Sequence, residues 1–114
     1  MNNILSEGNR VGFVWRVRHN GIGYRCGYVK IPEGHPWYKK DCDEVNANVH
    51  GGLTYGADEG DGWWIGFDCA HLGDAQDPEL PSSCRMNTPG IVRTQQYVEE
   101  ECHALCEQAL NAKS

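Results

Sequence analysis

Two short runs hold most of the residues able to do chemistry: His50-Gly51-Gly52-Leu53-Thr54-Tyr55 and Trp63-Trp64-Ile65-Gly66-Phe67-Asp68-Cys69-Ala70-His71-Leu72-Gly73-Asp74. An imidazole titrates near neutrality and a carboxylate behind it fixes its tautomer. His50 and His71, with Asp68 or Asp74, are therefore the material of acid–base catalysis. Thr54, Asp68 and Asp74 offer hydrogen bonds to a hydroxylated ligand, while Trp64, Tyr55 and Trp37 offer faces on which a base stacks. Arg25, Lys39 and Lys40 offer charge for a phosphate. Two metal sets can be drawn from the same stretch: His50, Asp68, His71 and Asp74 for zinc or manganese, or Cys69 and His71 with Cys102 and Cys106 for structural zinc. No Cys-x-x-Cys pair occurs, and Cys102 and Cys106 fall on the apolar face of a helix as ordinary buried thiols. The expectation is no metal and no cofactor.

These side chains need a sheet to hold them. Both runs alternate apolar with polar or small residues, as half-buried strands do, and the acidic, glycine-rich Gly56 to Gly62 between them reads as the turn of a hairpin. Alternation puts Val49, Leu53 and Tyr55 on one face of the first strand and His50, Gly52 and Thr54 on the other. In the second strand Trp63, Ile65, Phe67 and Cys69 oppose Trp64, Gly66 and Asp68. The expected pocket floor is His50, Thr54, Trp64 and Asp68, with Gly52 and Gly66 leaving room between them and Arg25 or the Lys39-Lys40 pair at the rim. His71 has the opposite parity and reaches that floor only if the strand ends or bulges before it. The competing reading is a tight hairpin whose polar residues only satisfy backbone groups.

Upstream, Val11 to Arg18 and Tyr24 to Ile31 flank the turn-forming His19-Asn20-Gly21-Ile22-Gly23 and read as an earlier hairpin. Prolines and glycine in Pro32 to Lys40 exclude regular structure there. Leu72 to Gly90 lacks periodicity, and loops of that length in a small domain are often functional. Val98, Cys102, Leu105, Ala109 and Leu110 recur at helical spacing after Thr94, a suitable N-cap, which predicts a helix over 94–112 with Glu99, Glu100, Glu101 and Gln108 on its polar side. The expected fold is α+β: one domain over 1–114, a flexible start at 1–10, and an antiparallel sheet of about four strands. The C-terminal amphipathic helix packs on the sheet face that bears Leu53 and Phe67.

The net charge of −6 is unevenly divided. Residues 1–40 carry seven bases against two acids, and residues 41–114 carry three bases against fourteen. An acidic whole disfavours a long nucleic acid, whose binding needs many phosphates neutralised. A small phosphate-bearing ligand needs only two or three placed cations. No run approaches the roughly 18 apolar residues of a membrane span, and the charged start is unlike a signal peptide. The chain is therefore expected to be cytoplasmic, with no membrane partner and six reduced cysteines. A homo-oligomer is compatible with its small size.

Gly23-Tyr24-Arg25-Cys26-Gly27-Tyr28-Val29, Gly34-His35-Pro36-Trp37-Tyr38 and the two runs that open this section together resemble a family of small, mostly uncharacterised phage and prophage proteins. The resemblance covers residues 23–74 and the terminal helix. It implies a context, the cytosol of a host cell and action against host defence, and not a chemistry. Within that context the leading expectation is sequestration of a nucleotide-derived immune signal of the cyclic nucleotide or cyclic ADP-ribose class. Its ligand-binding set is Arg25, Trp37, Lys39, Lys40, His50, Thr54, Tyr55, Trp64, Asp68 and Asp74. The alternative is hydrolysis of such a signal by His50 and His71 with Asp68 as the catalytic set. A further alternative is an acidic protein-binding inhibitor.

Overall fold

The computed structural model describes residues 3–112 apart from 83 and 86–88. Five strands form one antiparallel sheet in the order β1-β2-β3-β5-β4: β1 Ile4–Arg10, β2 Phe13–His19, β3 Arg25–Ile31, β4 Tyr55–Asp58 and β5 Trp63–Asp68. Helix α1, Gln95–Leu110, packs on one face. A short parallel pair, β6 Gly73–Ala75 and β7 Gly90–Val92, comes between the sheet and the helix in the chain order. The α+β arrangement with a C-terminal helix on an antiparallel sheet is as the sequence predicts. The difference at the start is β1: Ile4–Arg10 is an edge strand paired with β2 instead of a loose leader. Its polar sequence hides it because only one of its faces meets protein.

Alternation on β2, β3 and β5 sends Phe13, Trp15, Val17, Val29, Ile31, Ile65 and Phe67 towards α1, which answers with Val98, Cys102, Leu105, Cys106 and Ala109. Thr94 caps the helix through its side-chain oxygen, which accepts from Tyr97 N. Burial pushes the Cys102 and Cys106 thiols up, Cys106 to about 12, so both are packing groups and not nucleophiles. The helix approaches so closely over Gly27 that a Cβ there would meet the Phe67 ring and sit 2.7 Å from Cys102 Sγ. Gly27→Ala is expected to destabilise by about 1–3 kcal/mol through overpacking. A chemical denaturation midpoint equal to that of the wild type would contradict this packing.

β3 and β4 run in the same direction with β5 between them, so the chain must cross the sheet to join them. The crossing, residues 32–54, is irregular except for a 3-10 turn at Cys42–Glu44. It lies on the helix side, where Trp37, Val45 and Val49 are buried with the core and Leu53 packs against it. The polar side of α1 holds it in place. His35 Nε2 donates to Ala109 O, Gln108 and Asn48 exchange hydrogen bonds, and Glu101 Oε1 accepts from His50 N. Glu101 and Gln108 are thus loop anchors and not merely a solvated helix face.

No helix among the described residues is long and apolar enough to cross a membrane.

Candidate functional site

The sheet face away from α1 is built in rows by the strand register. Arg18, Cys26 and Asp68 form one row, Arg16, Tyr28, Gly66 and Tyr55 the next, and Lys30, Trp64 and Ala57 a third. At the Asp68 end of this face lies a cleft of about 460 Å³, lined by Asn20, Cys26, Tyr28, Thr54, Tyr55 and Asp68 together with Ala70 and His71. Gly66 lets the Tyr28 ring of this wall lie down on β5: a Cβ there would strike Tyr28 and the Gly27 carbonyl.

β5 ends at Asp68, and this termination brings His71 back to the cleft despite its parity. Asp68 Oδ1 accepts from Ala70 N, Oδ2 accepts from Thr54 Oγ1 at 3.1 Å, and His71 Nε2 lies 3.0 Å from Oδ1. Nε2 is shielded from solvent and outside good hydrogen-bond alignment, while about a third of the His71 side chain is exposed. With the proton on Nε2 towards Asp68, Nδ1 is a hydrogen-bond acceptor. Tyr28 and Tyr55 line the same cleft, edge to face with ring centroids 5.3 Å apart. The hydrogen bond from Tyr55 to Glu59, with burial, pushes its phenol up to about 12. Burial pushes Tyr28 up as well, and Cys26 in the same wall, so all three are neutral groups at pH 7.

His50 is elsewhere. Residues 50–54 are not a strand: β4 begins only at Tyr55, and Gly51 and Gly52 take φ of +69° and +81° in a turn closed by Gly52 N donating to Val49 O. Strand parity therefore fails for the first run. Tyr55 joins the cleft face instead of the core side, and His50 turns towards α1. Its Nδ1 pairs with Tyr97 Oη at 2.8 Å and its Nε2 lies 2.9 Å from Asp74 Oδ2. Both ring nitrogens thus have partners, and the His50 and His71 ring centroids are 6.1 Å apart. Asp74, whose side chain is fully buried, also accepts from Arg93 Nε at 2.7 Å and from His71 N at 3.1 Å. Burial alone would raise its carboxyl, but the hydrogen bonds from Arg93, His50 and His71 N together hold it below the usual range. Asp74 fixes the His71 backbone from behind and does not line the cleft.

The remaining expected site residues do not converge. Trp64 is on the cleft face but two rows from Asp68, buried under Arg16 with its indole donating to Asp61. Trp37 is in the helix-side core, at a larger cleft of about 560 Å³ beside the C-terminal half of α1. That cleft's one titratable wall residue, Glu107, is paired with Arg10, so it offers less chemistry than the smaller one. Arg25 points to the helix side and is spent on Asp77, Gln95 and Arg93 O. Lys39 and Lys40 are exposed on the crossing segment and outside the cleft. Among the described residues no group of three or more His, Cys, Asp or Glu is arranged to hold a metal.

Thr54, Tyr55, Asp68 and His71 are the sequence-predicted residues that do meet. Tyr28, Cys26 and Asn20 complete the walls and were missed, although carrying the period-two pattern of β3 across to β5 places Cys26 and Tyr28 beside Asp68 and Gly66. Gly51 is a positioning residue of its own. Its Cα abuts the His71 ring, where an added Cβ would overlap Cδ2 and Nε2. Gly51→Ala is expected to swing the ring out of the cleft and weaken ligand binding about tenfold or more, roughly the loss of one hydrogen bond of about 1.4 kcal/mol. Unchanged affinity in calorimetry would contradict the placement of His71.

Comparison with described protein families, with curated proteins and with solved structures finds no match to the chain.

Proposed function

We propose that the protein is a small-ligand capture module that holds the nucleoside part of a nucleotide-derived signal in the Tyr28–Tyr55–Asp68–His71 cleft. The observation that carries this reading is the cleft itself: two tyrosines and an imidazole line it, with the Asp68 carboxylate 3.0 Å from that imidazole. Aromatic walls with a few placed polar groups suit a base and its ribose hydroxyls. The phage resemblance of the sequence makes an immune signal of the cyclic nucleotide or cyclic ADP-ribose class the ligand of choice, taken up in the cytosol of a host cell.

Capture is favoured over hydrolysis because His50, the second imidazole a two-histidine mechanism needs, has no free nitrogen. A hydrolytic reading is kept by one feature, the Asp68 carboxylate beside His71, which is how a general base is oriented. A nuclear magnetic resonance titration with cyclic nucleotides and cyclic ADP-ribose species tests the site. Shifts centred on His71, Thr54 and Tyr55 are expected. Shifts confined to the Trp37 cleft or the Lys39-Lys40 segment, or none with any of these compounds, overturn the proposal.

A further inference from the structure

The cleft lacks a free cation, yet two arginines stand next to it. Arg18 is in the same row as Cys26 and Asp68, and Arg16 is in the row of Tyr28 and Tyr55. Each guanidinium lies over an aromatic ring, Arg16 at 4.4 Å from the Trp64 centroid and Arg18 at 5.4 Å from that of Tyr28. The β4–β5 turn folds back over them. Glu59 Oε1 accepts from Arg18 at 3.1 Å and its Oε2 accepts from Tyr55 Oη at 2.6 Å. Asp61 Oδ1 accepts from Trp64 Nε1 at 2.9 Å, and Oδ2 lies 3.7 Å from Arg16 Nη2, while Arg16 Nε donates to Glu7 Oε1 of the edge strand at 2.8 Å. The turn is closed by Glu59 N donating to Gly62 O, with Gly60 and Gly62 at φ of +91° and +147°.

We infer that Arg18, with the Nη2 end of a guanidinium that Arg16 anchors on Glu7, forms an anion subsite beside the cleft, filled in the free protein by Glu59 and Asp61 and taken over by a phosphate of the bound ligand. The inference rests on the capture reading and supplies the phosphate contacts that Arg25, Lys39 and Lys40 do not. Three features favour an exchangeable stand-in over a permanent clamp. Arg18 Nε is buried without a hydrogen-bond partner, so Glu59 uses one prong of a fork that a phosphate engages with two. Glu59 grips the cleft wall itself, through Tyr55, so its departure frees a donor facing the ligand. Partly exposed ion pairs of this kind add little to stability, so exchanging them is easy.

The test uses inorganic pyrophosphate as the anion and adenosine as the uncharged nucleoside, followed through the Trp64 indole and Arg18 Nε signals and the His71 ring signals. Pyrophosphate is expected to shift Trp64 and Arg18 at a concentration at least about tenfold lower in Glu59→Gln/Asp61→Asn than in the wild type, as removal of a competitor requires. Adding Arg18→Gln to that variant is expected to abolish the response. Equal or absent responses in wild type and variant, or a response that survives Arg18→Gln, overturn the subsite whatever adenosine does. If pyrophosphate behaves as expected while adenosine leaves His71 unmoved, the anion subsite is supported and the nucleoside reading of the cleft fails.

Discussion

Asp74→Ala is expected to lower the unfolding free energy by about 3 kcal/mol, the largest stability loss of any single polar substitution near the site. The carboxylate is fully buried and is the acceptor for His50, Arg93 and His71 N at once. Its removal leaves the His50 Nε2 and His71 N donors without their shared buried acceptor, and each such group costs about 1–3 kcal/mol. Arg93 is more exposed and adds little. Asp74 also gives the stability its acid limb. Its folded pKa lies below the ordinary aspartate value, as does that of Asp77, where burial opposes but hydrogen bonds from Glu79 N and Arg25 prevail. A carboxyl with a depressed folded pKa stabilises above its unfolded pKa and loses that contribution as pH falls through the folded one. Wild-type stability is therefore expected to fall below about pH 4, and less steeply in Asp74→Asn. Urea melts at pH 7 and pH 3 check both statements. An Asp74→Ala midpoint within error of the wild type at pH 7 would remove the network from the account.

The largest functional loss is expected from His71→Ala and Asp68→Ala, with ligand affinity falling about tenfold or more in each. His71 is partly exposed and outside the helix-side core, so its truncation is expected to change stability by less than about 1 kcal/mol. Asp68→Ala frees Thr54 Oγ1 and Ala70 N at the sheet end, where water replaces the lost acceptor. His50→Ala is expected to behave in the opposite way, with a lowered melting midpoint from its lost Asp74, Tyr97 and packing contacts. Calorimetry paired with thermal melts separates the two patterns. If His50→Ala lost binding at full stability while His71→Ala kept it, the assignment of roles between the two histidines would be reversed.

Much of the frame was legible because its residues obey simple periods. Ile65 and Phe67 alternate with Gly66 and Asp68 as a strand must, and Val98, Cys102, Leu105 and Ala109 keep helical spacing after the Thr94 cap. The site was legible where those periods continue, at Asp68, and lost where they stop. His50 to Thr54 looks like a strand, but two glycines with positive φ turn the chain, and the alternation that joined His50 to Trp64 does not apply. Trp64 shows a second limit. Parity puts it on the right face, yet parity does not say that the acidic turn folds back and buries it with Arg16. The sequence points to Arg25, Lys39 and Lys40 among the seven bases of the first forty residues as the phosphate contacts. Partners elsewhere in the fold decide which are spent: Asp77 takes Arg25, Glu59 takes Arg18, and Glu7 with the more distant Asp61 takes Arg16. Residues 83 and 86–88 of the long loop lie outside the described residues.

The central claim is that the cleft holds a nucleotide-derived ligand without changing it. Pure protein is incubated with cyclic nucleotides and cyclic ADP-ribose species, freed of unbound compound and heated to unfold, and the supernatant is chromatographed beside that of His71→Ala/Asp68→Ala. A sequestering protein gains from tight ground-state binding, whereas an enzyme avoids it. The account predicts intact ligand, close to one equivalent per site, from the wild type and little from the double variant. Chemically altered nucleotide in molar excess over protein, or equal recovery from the double variant, would contradict it.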